Sequence, residues 1–239
     1  MDDTVLAHVI DRLKKTPIHT DPYPHFFVTE IFPAEFYAEL LNHLLEVSYL
    51  QNWPKIPNNA PDMYQERWIL GLTDENLARL PFAHCIFWKG IKEALSSSLW
   101  QNALLDHFDP YLKQRFKGAY AKDQFFTSME LIHDETNYSI GPHTDHPAKV
   151  ITLLFYLPKS KDLSHLGTSV YRPKVSTFTC EGLSHYPHDQ FEKLSTAAFI
   201  PNSLFGFVKT NNSFHGVEPI QDLGIERNLM NFFLQLKHL

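Results

Sequence analysis

The 239-residue chain has only two cysteines, Cys85 and Cys180, far apart and without CxxC spacing. This excludes a disulfide framework and a zinc knuckle, and a reducing cytoplasm is the expected compartment. Positive charge is also scarce. A formal net charge of -6 leaves no electrostatic footprint for phosphate backbones, so neither nucleic acid nor an anionic membrane surface is an expected partner. No apolar run reaches spanning length, and "MDDTVLAHVIDRLKK" opens with acids rather than basic residues, so no signal peptide or membrane segment is expected. Repeats, low-complexity tracts and a clear linker are missing too, which favours one domain over 1-239. What is present is an ordinary globular balance, 44% apolar and 20% charged, enough to bury a full core. Nothing in it speaks to oligomeric state.

The texture of the chain changes near residue 125. Before it, helical patterns dominate. Val5, Leu6, Val9, Ile10 and Leu13 share one face behind an Asp2 or Asp3 cap, Pro33 opens "PAEFYAELLNHLLEV" from the first-turn position, and Thr73 starts another helix. Residues 81 to about 116 read as one or two helices broken near Asp109-Pro110. A short strand, "HFFVTEIF", and a Pro-rich loop, "NWPKIPNNAPD", interrupt them. After residue 125, short segments rich in aromatic and β-branched residues follow one another: "FTSMELIHD", "KVITLLFYL", "TSVYR", "TAAFI", "SLFGFVK", "FHGVEPI" and "RNLMNFFLQL". The expected architecture is α+β: helices over about 1-124 bracing a jelly-roll core over about 125-239. Residues 159-195 are long, polar and rich in His, Tyr and Pro, and part of them reads as a mobile loop over a site.

"GPHTDHP" precedes one of the most apolar strands, and in extended chain residues two apart point to the same side. His143 and Asp145 can therefore grip one metal ion. His215, opening another apolar strand, supplies a third ligand, and two imidazoles with one carboxylate leave positions open on non-haem Fe(II). Zinc with a bound water is the rival, but hydrolysis calls for a further general base as in HExxH, and that motif is absent. His146 should point away by strand alternation, and His165, His185 and His188 are not expected as ligands. Arg227 opens "RNLMNFF". A guanidinium entering a buried strand needs an anion, either a ligand carboxylate or a salt bridge to Asp222 or Glu226.

Taken together, "HTD", "ITLLFYLP", "LGTSVY", "FHGVEPI" and "RNLMNFF" resemble the Fe(II)- and 2-oxoglutarate-dependent dioxygenases, closest to their prolyl-hydroxylase-like branch, over residues 127 to 236. The resemblance implies a double-stranded β-helix in which His143, Asp145 and His215 bind Fe(II) and Arg227 holds the distal carboxylate of 2-oxoglutarate. Tyr156 and Asn231 would add contacts to that cosubstrate. His133 stands where the branch often has a tyrosine, a third such contact. "LGTSVY" has one glycine where the family often has two. The implied reaction uses O2, with ascorbate as a supporting reductant, and hydroxylates a small-molecule or peptidyl substrate with release of succinate and CO2. Substrate contacts are expected from Tyr171, Arg172, residues 185-188 and "MYQERW" at 63-68. The alternatives are a non-enzymatic jelly-roll binding module and a zinc hydrolase.

Overall fold

Asp2 accepts a hydrogen bond from the Val5 amide and so caps the first helix, α1 (Asp3–Lys15), which buries Leu6, Val9, Ile10 and Leu13. The computed structural model describes residues 1-56 and 64-238, so all of "PNNAPD" and Met63 lie outside the described residues. Further helices are α2 (Ala34–Asn42), α3 (Asp74–Leu77), α4 (Phe82–Leu95) and α5 (Ser98–Arg115). Thr73 caps α3 as expected, accepting from the Asn76 amide. Pro33 is the residue before α2 rather than its first helical position, and α2 ends at Asn42, earlier than its apolar pattern suggests. The break expected at Asp109-Pro110 falls instead at Ser96-Ser97, where Ser97 caps α5 through the Trp100 amide. Pro110 is carried inside α5 on an exposed position, and the carbonyl freed four residues earlier belongs to exposed Asp106, where water can satisfy it.

The strands are β1 (His25–Thr29), β2 (Gln51–Asn52), β3 (Arg67–Gly71), β4 (Phe125–Asp134), β5 (Ile140–His143), β6 (Lys149–Tyr156), β7 (Thr168–Pro173), β8 (Phe191–Ala197), β9 (Ser203–Val208), β10 (His215–Val217) and β11 (Arg227–Leu236). They form two antiparallel sheets, β1-β9-β6-β11-β4-β3-β2 and β5-β10-β7-β8. The jelly-roll layout holds, with one correction: the N-terminal half contributes β1, β2 and β3 to the larger sheet as well as its helices. β3 begins at the end of "MYQERW" and runs on through "ILG", a strand of five residues, too short to show alternation. Within the 159-195 segment, β7 coincides with the expected strand "TSVYR", and β8 begins at Phe191, earlier than "TAAFI" suggests.

Strand parity assigns each side chain a layer. In β11, Met230, Phe232 and Leu234 join Leu153 and Phe155 of β6 in the core beneath the helices. Each such buried side chain contributes roughly 1.5–3 kcal/mol of transfer free energy. The alternate residues Arg227, Leu229, Asn231 and Phe233 face the smaller sheet and line a cavity there. Polar residues can occupy this second face because something other than helix covers it.

Gly167 shows how closely the smaller sheet packs. A Cβ built there would meet the Ala197 carbonyl oxygen at 1.7 Å, backbone against backbone, so the single glycine of "LGTSVY" suffices for the close approach. Gly167→Ala is expected to cost about 1–3 kcal/mol, the usual range for an overpacked site. Urea unfolding reads this directly; an unchanged midpoint would show that the start of β7 can shift freely.

Candidate metal centre

The smaller sheet brings two distant histidines together by register. His143 ends β5 and His215 begins β10, and the two are directly opposed across the antiparallel pair. Their rings lie 4.3 Å apart between centroids. Asp145 follows two residues after His143, with buried Thr144 turned aside to donate to the Cys180 carbonyl. One ligand atom from each of His143, Asp145 and His215 lies within 4.8 Å of the other two. Asp145 and His215 are buried and His143 is half-buried. His146 is exposed and bonded to the Ala148 amide, His165 pairs with Asp222, and His188 rests on Tyr171.

Each ligand is oriented by a neighbour. His143 Nδ1 lies 3.0 Å from the Gly141 carbonyl and His215 Nδ1 lies 2.9 Å from the Ser213 carbonyl. A carbonyl only accepts, so both rings carry their proton on Nδ1 and keep the Nε2 lone pair free for a cation. Asp145 takes 2.6 Å and 2.8 Å hydrogen bonds from Thr152 and Lys149 of the larger sheet. Burial alone would raise this carboxyl. Lys149 and then the two histidines outweigh it and hold Asp145 well below the usual carboxylate range. Burial first, and His215 second, push His143 well below the ordinary imidazole value. The triad is therefore neutral imidazoles beside an ionised carboxylate, the protonation a divalent metal requires.

A cavity of about 250 Å³ opens beside the triad. Arg227 lines it, 1% exposed, and its anion is neither Asp222 nor Glu226 but Asp134, 2.6 Å away on the neighbouring strand. Its Nε donates to the Leu166 carbonyl, leaving Nη2 without a partner among the described residues. Asp134 also takes a two-pronged contact from Arg67, at 2.6 and 2.9 Å. Asp134 was not identified from sequence, and Arg67 was named there only within "MYQERW", as a substrate contact; it lines the cavity but is tied to Asp134. Asn231 lines the cavity too; its amide donates to Glu130, while its Oδ1 is buried and unpartnered. Tyr156 shares this face, and its hydroxyl accepts the Thr168 amide, leaving its own proton to donate.

His133 is placed differently from its expected role. It directly opposes Asn228, one position out of phase with the Arg227–Asp134 pair, so its ring faces the helices, where it bonds Asn228 and Glu135. Strand alternation removes it from the cavity. Among the anticipated substrate contacts, Tyr171 bonds Glu218 and Arg172 pairs with exposed Asp21, both away from the cavity. His185 and Tyr64 do line it, bonded to each other, with the His185 ring 4.6 Å from that of His143.

No family model matches the chain, and no curated protein matches it in sequence. Solved structures do share its fold. A prolyl hydroxylase from Trichoplax adhaerens, solved in complex with a hypoxia-inducible factor oxygen-degradation-domain peptide, aligns with a TM-score of 0.56 at 12% identity, covering 97% of this chain and 89% of that one. A Pseudomonas putida prolyl-4-hydroxylase gives 0.53 at 12% identity, over 96% and 98%. The epimerase SnoN, solved with Fe3+, α-ketoglutarate and nogalamycin RO, gives 0.53 at 11% identity, over 98% and 84%. The fold is thus that of 2-oxoglutarate- and Fe(II)-dependent oxygenases, built as a double-stranded β-helix.

Asp134→Asn should leave two buried guanidinium groups facing an uncharged amide and cost about 3–5 kcal/mol. In the same urea series Arg172→Ala should leave the midpoint nearly unchanged, since Arg172 is only half-buried and solvent screens its pair with exposed Asp21. Equal midpoints for the two variants would remove Asp134 from its organising role.

Proposed function

We propose that the chain is a Fe(II)- and 2-oxoglutarate-dependent dioxygenase that hydroxylates a small-molecule or protein side-chain substrate, with release of succinate and CO2. The observation that carries this reading is the meeting of His143, Asp145 and His215 at one cavity with a buried guanidinium in its wall. The shared fold supports it.

The residues fit the groups the reading requires. Two Nε2 atoms and one carboxylate oxygen form a set that leaves coordination positions open, and iron bound there supplies oxygen activation. The cavity lies below the roughly 300–1,000 Å³ of drug-sized sites, which suits a small dicarboxylate. Its wall offers Arg227 Nη2 as a charged donor for a carboxylate, while the free Asn231 Oδ1 is an acceptor suited to a donor group or water rather than to the carboxylate itself. Lys149 and Thr152 keep Asp145 ionised and fixed in orientation. Asp134 acts through Arg227: by holding Nη1 it fixes the plane of the guanidinium and the direction of Nη2. Tyr156 is a further contact in this proposal, through the hydroxyl proton left free by its bond from Thr168. His185 and Tyr64 lie where a substrate would approach.

Titrating Fe(II) and 2-oxoglutarate together into the protein without oxygen should produce a metal-to-ligand charge-transfer absorption. Aerobic turnover with ascorbate should yield succinate. His143→Ala and Asp145→Ala should each abolish both signals, because losing a ligand removes affinity and geometry together. Zinc retention with no response to 2-oxoglutarate would favour a hydrolase, and no metal response at all a binding module.

Arg227→Ala should keep iron binding yet weaken 2-oxoglutarate by about 30-fold to a few thousandfold, the equivalent of about 2–5 kcal/mol for an unpaired buried carboxylate. Anaerobic titration measures it. An unchanged midpoint would assign Arg227 to Asp134 alone.

A further inference from the structure

A second and larger cavity, about 540 Å³, shares no lining residue with the metal cavity. It lies between residues 20-24, the last turn of α5 and the turn over residues 209-212. Two cations line it, and neither has a carboxylate within ion-pairing distance among the described residues. Lys209 is 2% exposed, and its ammonium reaches only neutral oxygens, the Thr210 carbonyl and Asn211 Oδ1, each at 3.1 Å. Arg115 likewise meets carbonyls alone, those of Pro147 at 2.7 Å, Lys209 at 2.9 Å and Val150 at 3.4 Å.

Uncompensated cations are costly to bury, and a protein normally pairs them. Arg115 has a structural explanation, since it ties three loop carbonyls to the end of α5. Lys209 has none of comparable weight: two hydrogen bonds to its own turn would be served by a neutral donor. Burial first, and Arg115 second, push its ammonium down to about 8, and Cys180, Asp145 and Glu181, none of them in ion-pairing contact, offset only part of that. Around them the wall is rich in donors and nearly free of competing acid. Gln114, Asn211, Asn212 and Thr20 contribute polar groups, while Glu181 is the one carboxylate residue in the wall, and it is exposed.

We propose that this cavity is a binding site for a small molecule carrying an oxyanion, a carboxylate or phosphate group, with Lys209 Nζ and the Arg115 guanidinium as its charged contacts. The cavity is far larger than the anionic group, so the remainder of the ligand lies against Tyr111, Pro22 and Pro24. The turn that carries Asn211 and Asn212 runs on through Ser213 to His215, so a ligand held there braces the segment that presents a metal ligand.

The test uses the metal-free full chain at pH 7, where Lys209 is charged, and measures binding of inorganic phosphate and of acetate by calorimetry at constant ionic strength against chloride. One of the two should bind, and the tighter one identifies the headgroup. Lys209→Met keeps the volume and removes the charge, and it should weaken that anion at least about tenfold, as for loss of a hydrogen bond to a charged group. Glu181→Gln, an exposed change that leaves folding intact, should tighten it by about two- to fivefold. No binding beyond chloride by the parent protein overturns the proposal, and so does undiminished binding by Lys209→Met. Should Lys209→Met not fold, an unchanged affinity in Glu181→Gln overturns it equally. Because no metal or 2-oxoglutarate is present, the result does not depend on the oxygenase reading.

Discussion

One buried carboxylate fixes the register of the larger sheet where the site is built. Asp134 ends β4 and faces Arg227 of β11 on one side and Arg67 of β3 on the other, each directly opposite in the ladder. Its side chain is fully buried, so the three charges form an interlock across three strands in a low-dielectric setting. Slipping β4 by one residue would turn Asp134 toward the helices and leave two guanidinium groups unpaired, and the cost of that error far exceeds any local preference. Apolar alternation alone is a weaker guide to register here, because the inner faces of β4 and β11 mix apolar residues (Ile132, Leu229, Phe233) with polar ones (Ser128, Glu130, Asn231, Gln235).

The candidate metal group was legible because its chemistry is written locally. His143 and Asp145 are two residues apart on extended chain, and His215 opens an apolar strand; no tertiary knowledge was needed to suspect them. The larger strands, the first helix cap at Asp2 and the cap at Thr73 were readable for the same reason. Asp134 was not, since "ELIHDE" gives no sign that its partners lie 67 residues before and 93 residues after it. His133 was misplaced by taking position in a motif over parity in a strand. Its neighbour Asp134 has the inward phase, and only one of two adjacent strand residues can. Pro110 misled because sequence cannot show that the carbonyl it frees faces water.

The low identity to structures of the same fold has a related explanation. The helix-facing layer asks only for apolar residues of suitable size, a requirement that Met, Leu, Phe and Ile meet interchangeably. Specific chemistry is confined to one end of the inner face, where a handful of polar residues must hold fixed positions. Sequence comparison averages the two layers and registers mostly the permissive one. The fold comparison registers the parity and order of the strands, which the permissive layer is enough to preserve.

Charge in the metal cavity follows from this division. The charged residues that line or brace it are Arg67, Arg227 and Lys149 against Asp134, Asp145 and Glu130, three of each sign, and burial favours the neutral form of His143, His185 and His215. The wall is therefore balanced by itself. A divalent metal alone would leave two positive charges in a space partly closed to water, and a dicarboxylate alone would leave two negative ones. Under the proposed function the two neutralise each other, so each lowers the electrostatic cost of binding the other, and this coupling is reciprocal. Separate partners for Arg67 and Arg227 would have altered that balance. A single shared Asp134 instead leaves the second guanidinium to offset Glu130, and it leaves one free donor of Arg227 in the cavity wall without adding net charge.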